Sequence, residues 1–176
     1  SVAFHLAIMA ALYALAYAKS FNVSPEVVME NKKSGDGNMR QVGKTQELAL
    51  GYSGGVGAFV TFAAGYGIDL DDLAGKILSV ADPELVEEAT SFLEWLKGKK
   101  GSTTYGLADD TFIACDVAKR GWRKGHPAIS TWWKQLEDAF EKAVTTPKQT
   151  FAARTVHFNR DGSWLRVRLP SGRFLC

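Results

Sequence analysis

The chain has 176 residues, 46% of them hydrophobic and 23% charged, with a formal net charge of +2. This length suits one domain, or one domain with an appendage, and the composition is that of a globular chain, which excludes disordered and fibrous classes. The charge is too small to argue for a nucleic-acid partner by itself. Cys115 and Cys176 stand far apart in unrelated contexts, so they form neither a disulfide framework nor a metal knuckle, as suits a reducing cytosol.

Helix is the dominant pattern. Val2 to Ala18 is apolar, interrupted by His5, Tyr13 and Tyr17. It lacks the basic start of a signal peptide. Its length would allow a membrane span, but an Ala-rich, Tyr-containing helix fits the inside of a protein better. Phe21 to Pro25 ends this element, and Ser24 caps a short helix opened by Pro25. Residues 31–39 are expected to form a flexible loop. Helix formers from Gln41 to Leu50 predict a helix from Met39 to about Gly51, broken by the glycines up to Gly57.

Further helices are expected over Ala58–Ala64, stopped at Gly65-Tyr66-Gly67, and over residues 70–80 behind an Asp69 cap. Asp82-Pro83-Glu84 opens another, to about Lys97. Gly98 to Gly106 is a basic loop, and Asp109 or Asp110 opens a helix to about Lys124. Pro127 opens the next, with Ile129, Trp132, Trp133, Leu136, Phe140 and Val144 at helical spacing. After Pro147 the texture changes to strand. Thr155–Phe158 and Trp164–Leu169 flank an Asp161-Gly162 turn, and Arg173 to Cys176 begins a third strand. The expected fold is α+β, mainly α-helical with a C-terminal antiparallel β-hairpin. Its stretches are N-terminal helices (1–30), the loop (31–39), a helical region (40–146) and the hairpin (147–176).

Gly43-Lys44-Thr45 matches the end of a phosphate-binding P-loop, but the match fails on register and context. Five residues, not four, separate Gly37 from Gly43, Asn38 stands where glycine is required, and a solvated linker precedes it in place of a buried strand. The helix around these residues offers another chemistry. Arg40 and Lys44 lie one turn apart on one side, shared with Glu47 and Gly51, and Tyr52 follows at the C-terminal end. Two cations and a ring suit a nucleotide's phosphates and base, and Gly51, Gly54 and Gly55 leave room for a strand of nucleic acid. The same residues fit equally well a solvated basic edge on a glycine-ended helix.

Arg40-x-x-x-Lys44, then seven residues and Tyr52, resembles the fingers-helix motif of family A (polymerase I-like) DNA polymerases. The run from Val42 to Phe59 is similar to the phage and prophage branch. Further landmarks follow in order: Thr104-Tyr105-Gly106-Leu107, then Trp122-Arg123-x-x-His126-Pro127-x-Ile129, then Leu169-Pro170-Ser171-Gly172-Arg173. Leu12 to Ala16 resembles the preceding helix, with Ala11 where the family tends to carry an acid. The resemblance covers roughly residues 11–176 and implies the fingers, with part of the palm, of a right-hand polymerase fold.

By that resemblance Arg40 and Lys44 grip the triphosphate of an incoming dNTP, and Lys44 is also a candidate proton donor to pyrophosphate, in keeping with phosphoryl transfer by positioning and charge. Leu48 takes the place of an aromatic that senses the sugar in many members. Tyr52 sits against the nascent base pair or the template base, Gly51 lies where the DNA approaches, and Arg173 contacts the DNA backbone. The implied partners are dNTP, primer-template DNA and the remainder of the polymerase. The implied place is the cytoplasm of a bacterial host, with no membrane contact.

The resemblance implies Mg2+ in the complete enzyme, held by carboxylates. The motifs that supply these carboxylates lie upstream of Tyr13 and downstream of Cys176, and residues 1–10 contain no acid. This fragment is therefore expected to bind no metal and to be inactive alone, whether it is a natural remnant or a piece of a larger enzyme. The other reading is a non-catalytic helical module, descended from a polymerase, that binds nucleic acid or protein.

Other polar residues carry simpler expectations. Asp69, Asp71, Asp72, Asp109 and Asp110 read as helix-start acids and caps, and His126 marks a helix boundary. Cys115 reads as a core thiol, and Trp122, Trp132 and Trp133 as core, with base stacking the other reading for one of them. Lys119, Arg120, Arg123 and Lys124, with Arg166, Arg168 and Arg173, fit either a DNA-facing or a solvated face. No Ser or Cys has a recognisable nucleophile arrangement.

Overall fold

The computed structural model describes residues 2–35 and 37–175. Asp36 of the expected loop and Cys176 of the expected third strand lie outside the described residues. The chain divides into two compact units, Ser1–Gly125 and His126–Cys176.

The first unit is helical: α1 (Val2–Phe21), α2 (Pro25–Lys33), α3 (Asn38–Leu50), α4 (Val56–Gly65), α5 (Leu70–Val80), α6 (Pro83–Gly98) and α7 (Asp109–Gly125). Its helix starts follow the sequence signals. Ser24 accepts a hydrogen bond from Val27 N, Asp69 from Asp71 N and Asp72 N, and Asp82 from Glu84 N. The expected loop at 31–39 is shorter than its composition suggests. Residues 31–33 complete α2 and Asn38 starts α3, because Asn31 ties the turn: its carbonyl accepts from Gly37 N and its side chain from Met39 N.

The core of this unit forms around α7, which packs against α1, α3, α4, α5 and α6. Phe112, Val117, Ala118 and Trp122 are buried along it, as is Cys115, whose thiol burial pushes up to about 12. Cys115 is thus the inert core thiol its neighbours implied. The two short polar links Thr111–Asp71 (2.5 Å) and Gln46 Nε2–Ala118 O (3.0 Å) fix α5 and α3 to α7.

From Tyr13 onward, α1 buries Tyr13, Ala14, Ala16, Tyr17, Ala18 and Phe21, the small residues allowing close packing. Among the described residues no helix is long and apolar enough to cross a membrane. The closest crossing is at Gly43 in α3. A Cβ there would lie 2.0 Å from the Tyr13 carbonyl oxygen and 3.2 Å from Tyr17 N. Gly43 is therefore a helix-packing residue in mid-helix, which accounts for the failure of the P-loop match.

The second unit is α8 (Pro127–Thr145) followed by a four-stranded antiparallel sheet in the order β1-β2-β3-β4. The strands are β1 (Thr150–Ala153), β2 (Val156–Asp161), β3 (Trp164–Arg168) and β4 (Phe174–Leu175). The expected hairpin is β2–β3, with Gly162 at φ +59° in its two-residue turn and Asp161 paired with Trp164. The sequence reading missed β1, so the hairpin is part of a larger sheet. Pattern alone grouped α8 with the preceding helices, but its apolar face covers this sheet. Ala139 and Ala143 pack with Ala153, Val156 and Phe158, flanked by Trp132, Leu136, Phe151, Leu165 and Val167.

The Gly43 crossing yields a stability prediction. Gly43→Ala should lower the unfolding free energy by about 2 kcal/mol or more, because backbone on the facing helix cannot yield as a side chain can. Urea unfolding of the two proteins measures it, and an unchanged midpoint would show that α1 and α3 are not this close.

Candidate nucleotide-binding site

α3 separates cleanly into two sides. Val42, Gly43, Thr45, Gln46, Ala49 and Leu50 are buried, whereas Arg40, Gln41, Lys44, Glu47 and Leu48 are half-buried. At about 100° per residue these sets occupy separate arcs of the helix, so one side faces the core and the other opens outward. Arg40, Lys44 and Glu47 thus share the open side, as the sequence spacing implied, and Leu48 lies there with them.

Each cation on this side is backed by a ring. The Arg40 guanidinium lies 5.4 Å from the centre of the Tyr13 ring on α1, and Lys44 Nζ lies 3.9 Å from the Tyr66 ring at the end of α4. Cation–π contacts hold such groups in place without neutralising them. Among the described residues no carboxylate pairs with Arg40 or Lys44, and Arg40 Nε is buried with no hydrogen-bond partner. A buried donor left in this state costs free energy until an acceptor arrives. The sequence reading identified the two cations but missed both rings. Tyr66 read only as part of a helix stop, and nothing local connects it to a lysine 22 positions earlier.

Tyr52 departs from the expected geometry. The helix ends at Leu50, so Tyr52 lies in the following turn and is 87% exposed. Its direction is set by that turn and not by helical periodicity. Gly51 is the C-cap, with its N–H bonded to Glu47 O, and Ser53 follows at φ +64°. Gly54 admits no side chain, because a Cβ would meet Ala49 O at 2.0 Å. Arg123 Nη2 donates to Gly54 O at 3.2 Å, pinning the turn from α7.

The other sequence landmarks within this unit converge here. Trp122 is buried in the core, and its Nε1 donates to Glu47 Oε1 at 3.0 Å. Tyr105, at φ +58°, lays its ring over Gly57, where a Cβ would come within 2.7 Å of it. Segments near residues 105 and 122–123 thus pack along the stretch 47–57, from the end of α3 to the start of α4. Arg173 belongs to the second unit, in the turn between β3 and β4, with its carbonyl accepting from Leu169 N at 2.8 Å.

The basic run on α7 has a different role from a free DNA-facing strip. Asp116 is fully buried and pairs with Lys119 and with Arg120 Nε (2.6 Å), and Arg120 Nη1 reaches Glu88 at 2.5 Å. Lys124 pairs with Asp82 at 3.0 Å and lies 3.6 Å from Glu84. Burial lowers the Lys119 ammonium below its usual range, against the pull of Asp116. The carboxylates one turn back on α7 and at the start of α6 therefore commit these cations to internal pairs. Asp109, likewise, is in the first turn of α7 and pairs with Lys97 at 2.6 Å rather than capping the helix. His126 holds the N-cap position of α8, as its helix-boundary reading implied.

The chain is 27% identical over 164 residues to the DNA polymerase of Bacillus phage SP02, a match that covers 93% of this chain and 18% of that protein. The chain therefore spans less than a fifth of the relative it matches, and this similarity supports a relationship to DNA polymerases. No family model matches the chain, and no solved structure matches it.

The α7 ion cluster generates a test of its own. Asp116→Ala, which strands two partly buried cations, should cost about 3 kcal/mol of stability. Glu88→Ala, at a half-exposed carboxylate, should cost less than about 1 kcal/mol. Equal effects in denaturant unfolding would mean that Asp116 is not the centre of the cluster.

Proposed function

We propose that this chain is the fingers, with an adjoining part of the palm, of a phage-type family A DNA polymerase, and that α3 binds the triphosphate of an incoming dNTP. The observation that carries this reading is the outward arc of α3. Arg40 and Lys44, one turn apart, are each supported by a tyrosine ring and left without a carboxylate among the described residues. A polyphosphate supplies the missing anions, and desolvated, ring-backed cations hold it more strongly than freely hydrated ones. In this reading Lys44 also donates a proton to departing pyrophosphate. Leu48 borders the sugar, and exposed Tyr52 presents its ring to the nascent base pair. Gly51 lies beside the DNA, and Arg173 contacts its backbone.

Family A enzymes work with Mg2+, and this reading gives the described residues no part in holding it. We assign the chain no metal-dependent step. Its own contribution is to bind and orient the nucleotide. Catalysis then requires carboxylates from beyond the described residues, so the 176-residue chain alone is expected to bind dNTP without steady incorporation.

Calorimetric titration of a dNTP into the chain is the test. Arg40→Ala and Lys44→Ala should each weaken binding by about 1–3 kcal/mol, the range for a charge-assisted contact. Complete absence of dNTP affinity in the unaltered chain would instead favour a non-catalytic module of polymerase ancestry.

A further inference from the structure

The second unit has a face that the dNTP reading leaves unused. Strand alternation sends Phe151, Ala153, Val156, Phe158, Leu165 and Val167 toward α8. The opposite face carries Trp164, Arg166 and Arg168 along β3, His157 and Asn159 on β2, and Phe174 on β4. The register sets Arg168 opposite both His157 and Phe174, and Arg166 opposite Asn159. Trp164 is 64% and Phe174 59% exposed, and no described element of this unit covers them. A large exposed aromatic at each end of a row of arginines is not what a merely solvated sheet needs.

Charge narrows the choice of occupant. Residues 126–176 carry eight Lys and Arg against four Asp and Glu, a formal +4, whereas residues 1–125 carry thirteen against fifteen, a formal −2. From Lys148 onward there are six cations and a single acid, Asp161, which lies 4.0 Å from Arg166 at the hairpin end. Among the described residues no carboxylate pairs with Arg168. A protein partner would also take aromatics and arginines, but a face with this excess of cations calls for a polyanion, and a duplex would present no free base faces to the rings. An unpaired polynucleotide satisfies both features, since bases stack on aromatics and phosphates take the arginines.

We propose that this open sheet face binds single-stranded polynucleotide, with bases stacked on Trp164 and Phe174 and the intervening phosphates on Arg166 and Arg168. Trp164 and Arg168 are four residues apart on β3, about 14 Å at the rise of an antiparallel strand. The two rings are therefore separated by more than one nucleotide step, and the arginines lie where the backbone between them must pass. The face belongs to the second unit alone and does not depend on the reading of α3.

Fluorescence anisotropy of a labelled oligothymidylate with the full chain tests this, with a duplex and an oligouridylate as parallel probes. Single strands should bind more tightly than duplex, and a tie between the DNA and RNA strands would support the shared chemistry. Trp164→Ala should weaken binding on the order of tenfold, with Trp164→Phe recovering most of it. Arg166→Gln with Arg168→Gln should flatten the salt dependence. Trp95→Ala, at an aromatic 56% exposed in the first unit, should leave binding unchanged. The proposal is overturned if Trp164→Ala binds like the unaltered chain, or if it matches Trp95→Ala. It is also overturned if Trp164→Ala abolishes self-association in sedimentation while strand binding persists, which would make the face a protein interface.

Discussion

The close approach of α3 to α1 at Gly43 is the constraint on which the candidate site rests. With a glycine facing the Tyr13 carbonyl, the two helices meet backbone to backbone. That contact fixes the rotation of α3 about its axis. Val42, Thr45, Gln46 and Ala49 are then turned inward, and Gln46 completes the seating by donating to Ala118 O on α7. The same rotation carries Arg40 and Lys44 outward, and it brings the Tyr13 ring under the Arg40 guanidinium. Site and packing are two consequences of one helix crossing.

The electrostatics of the first unit separate into two kinds of cation. On α7, Lys119, Arg120 and Lys124 are committed to Asp116, Glu88, Asp82 and Glu84, so they serve the fold. On α3, aromatic faces take the place of those acids. Rings orient a cation but leave its charge available, which is what recognition of an anionic ligand requires. The cations of α7 are thus neutralised within the fold, whereas Arg40 and Lys44 keep their charge. The near-neutral net charge conceals the positive second unit because the acidic excess of the first unit offsets it.

Much of the fold was legible in the sequence because its signals are local. Ser24, Asp69 and Asp82 cap the helices they precede, the apolar stripe of α8 is helical in period, and the Asp-Gly signal marks the hairpin, whose turn is Gly162-Ser163. What escaped depends on distant partners. β1 exists because β2 pairs with it, and its four residues, TFAA, carry little strand pattern of their own. Tyr66 meets Lys44 only after α4 folds back along α3. α3 ends at Leu50, close to the expected stop, and the turn after it, where Gly54 closes on Ala49 O, takes Tyr52 off the helix, a steric fact invisible in one-dimensional spacing.

The most direct test of the central claim is photo-crosslinking of an azido-dNTP to the full chain, with the adducts mapped by peptide mass spectrometry. The account predicts labelling concentrated between Arg40 and Gly55 and abolished by excess unlabelled dNTP. Labelling spread over unrelated surface lysines, or insensitive to competitor, would contradict it.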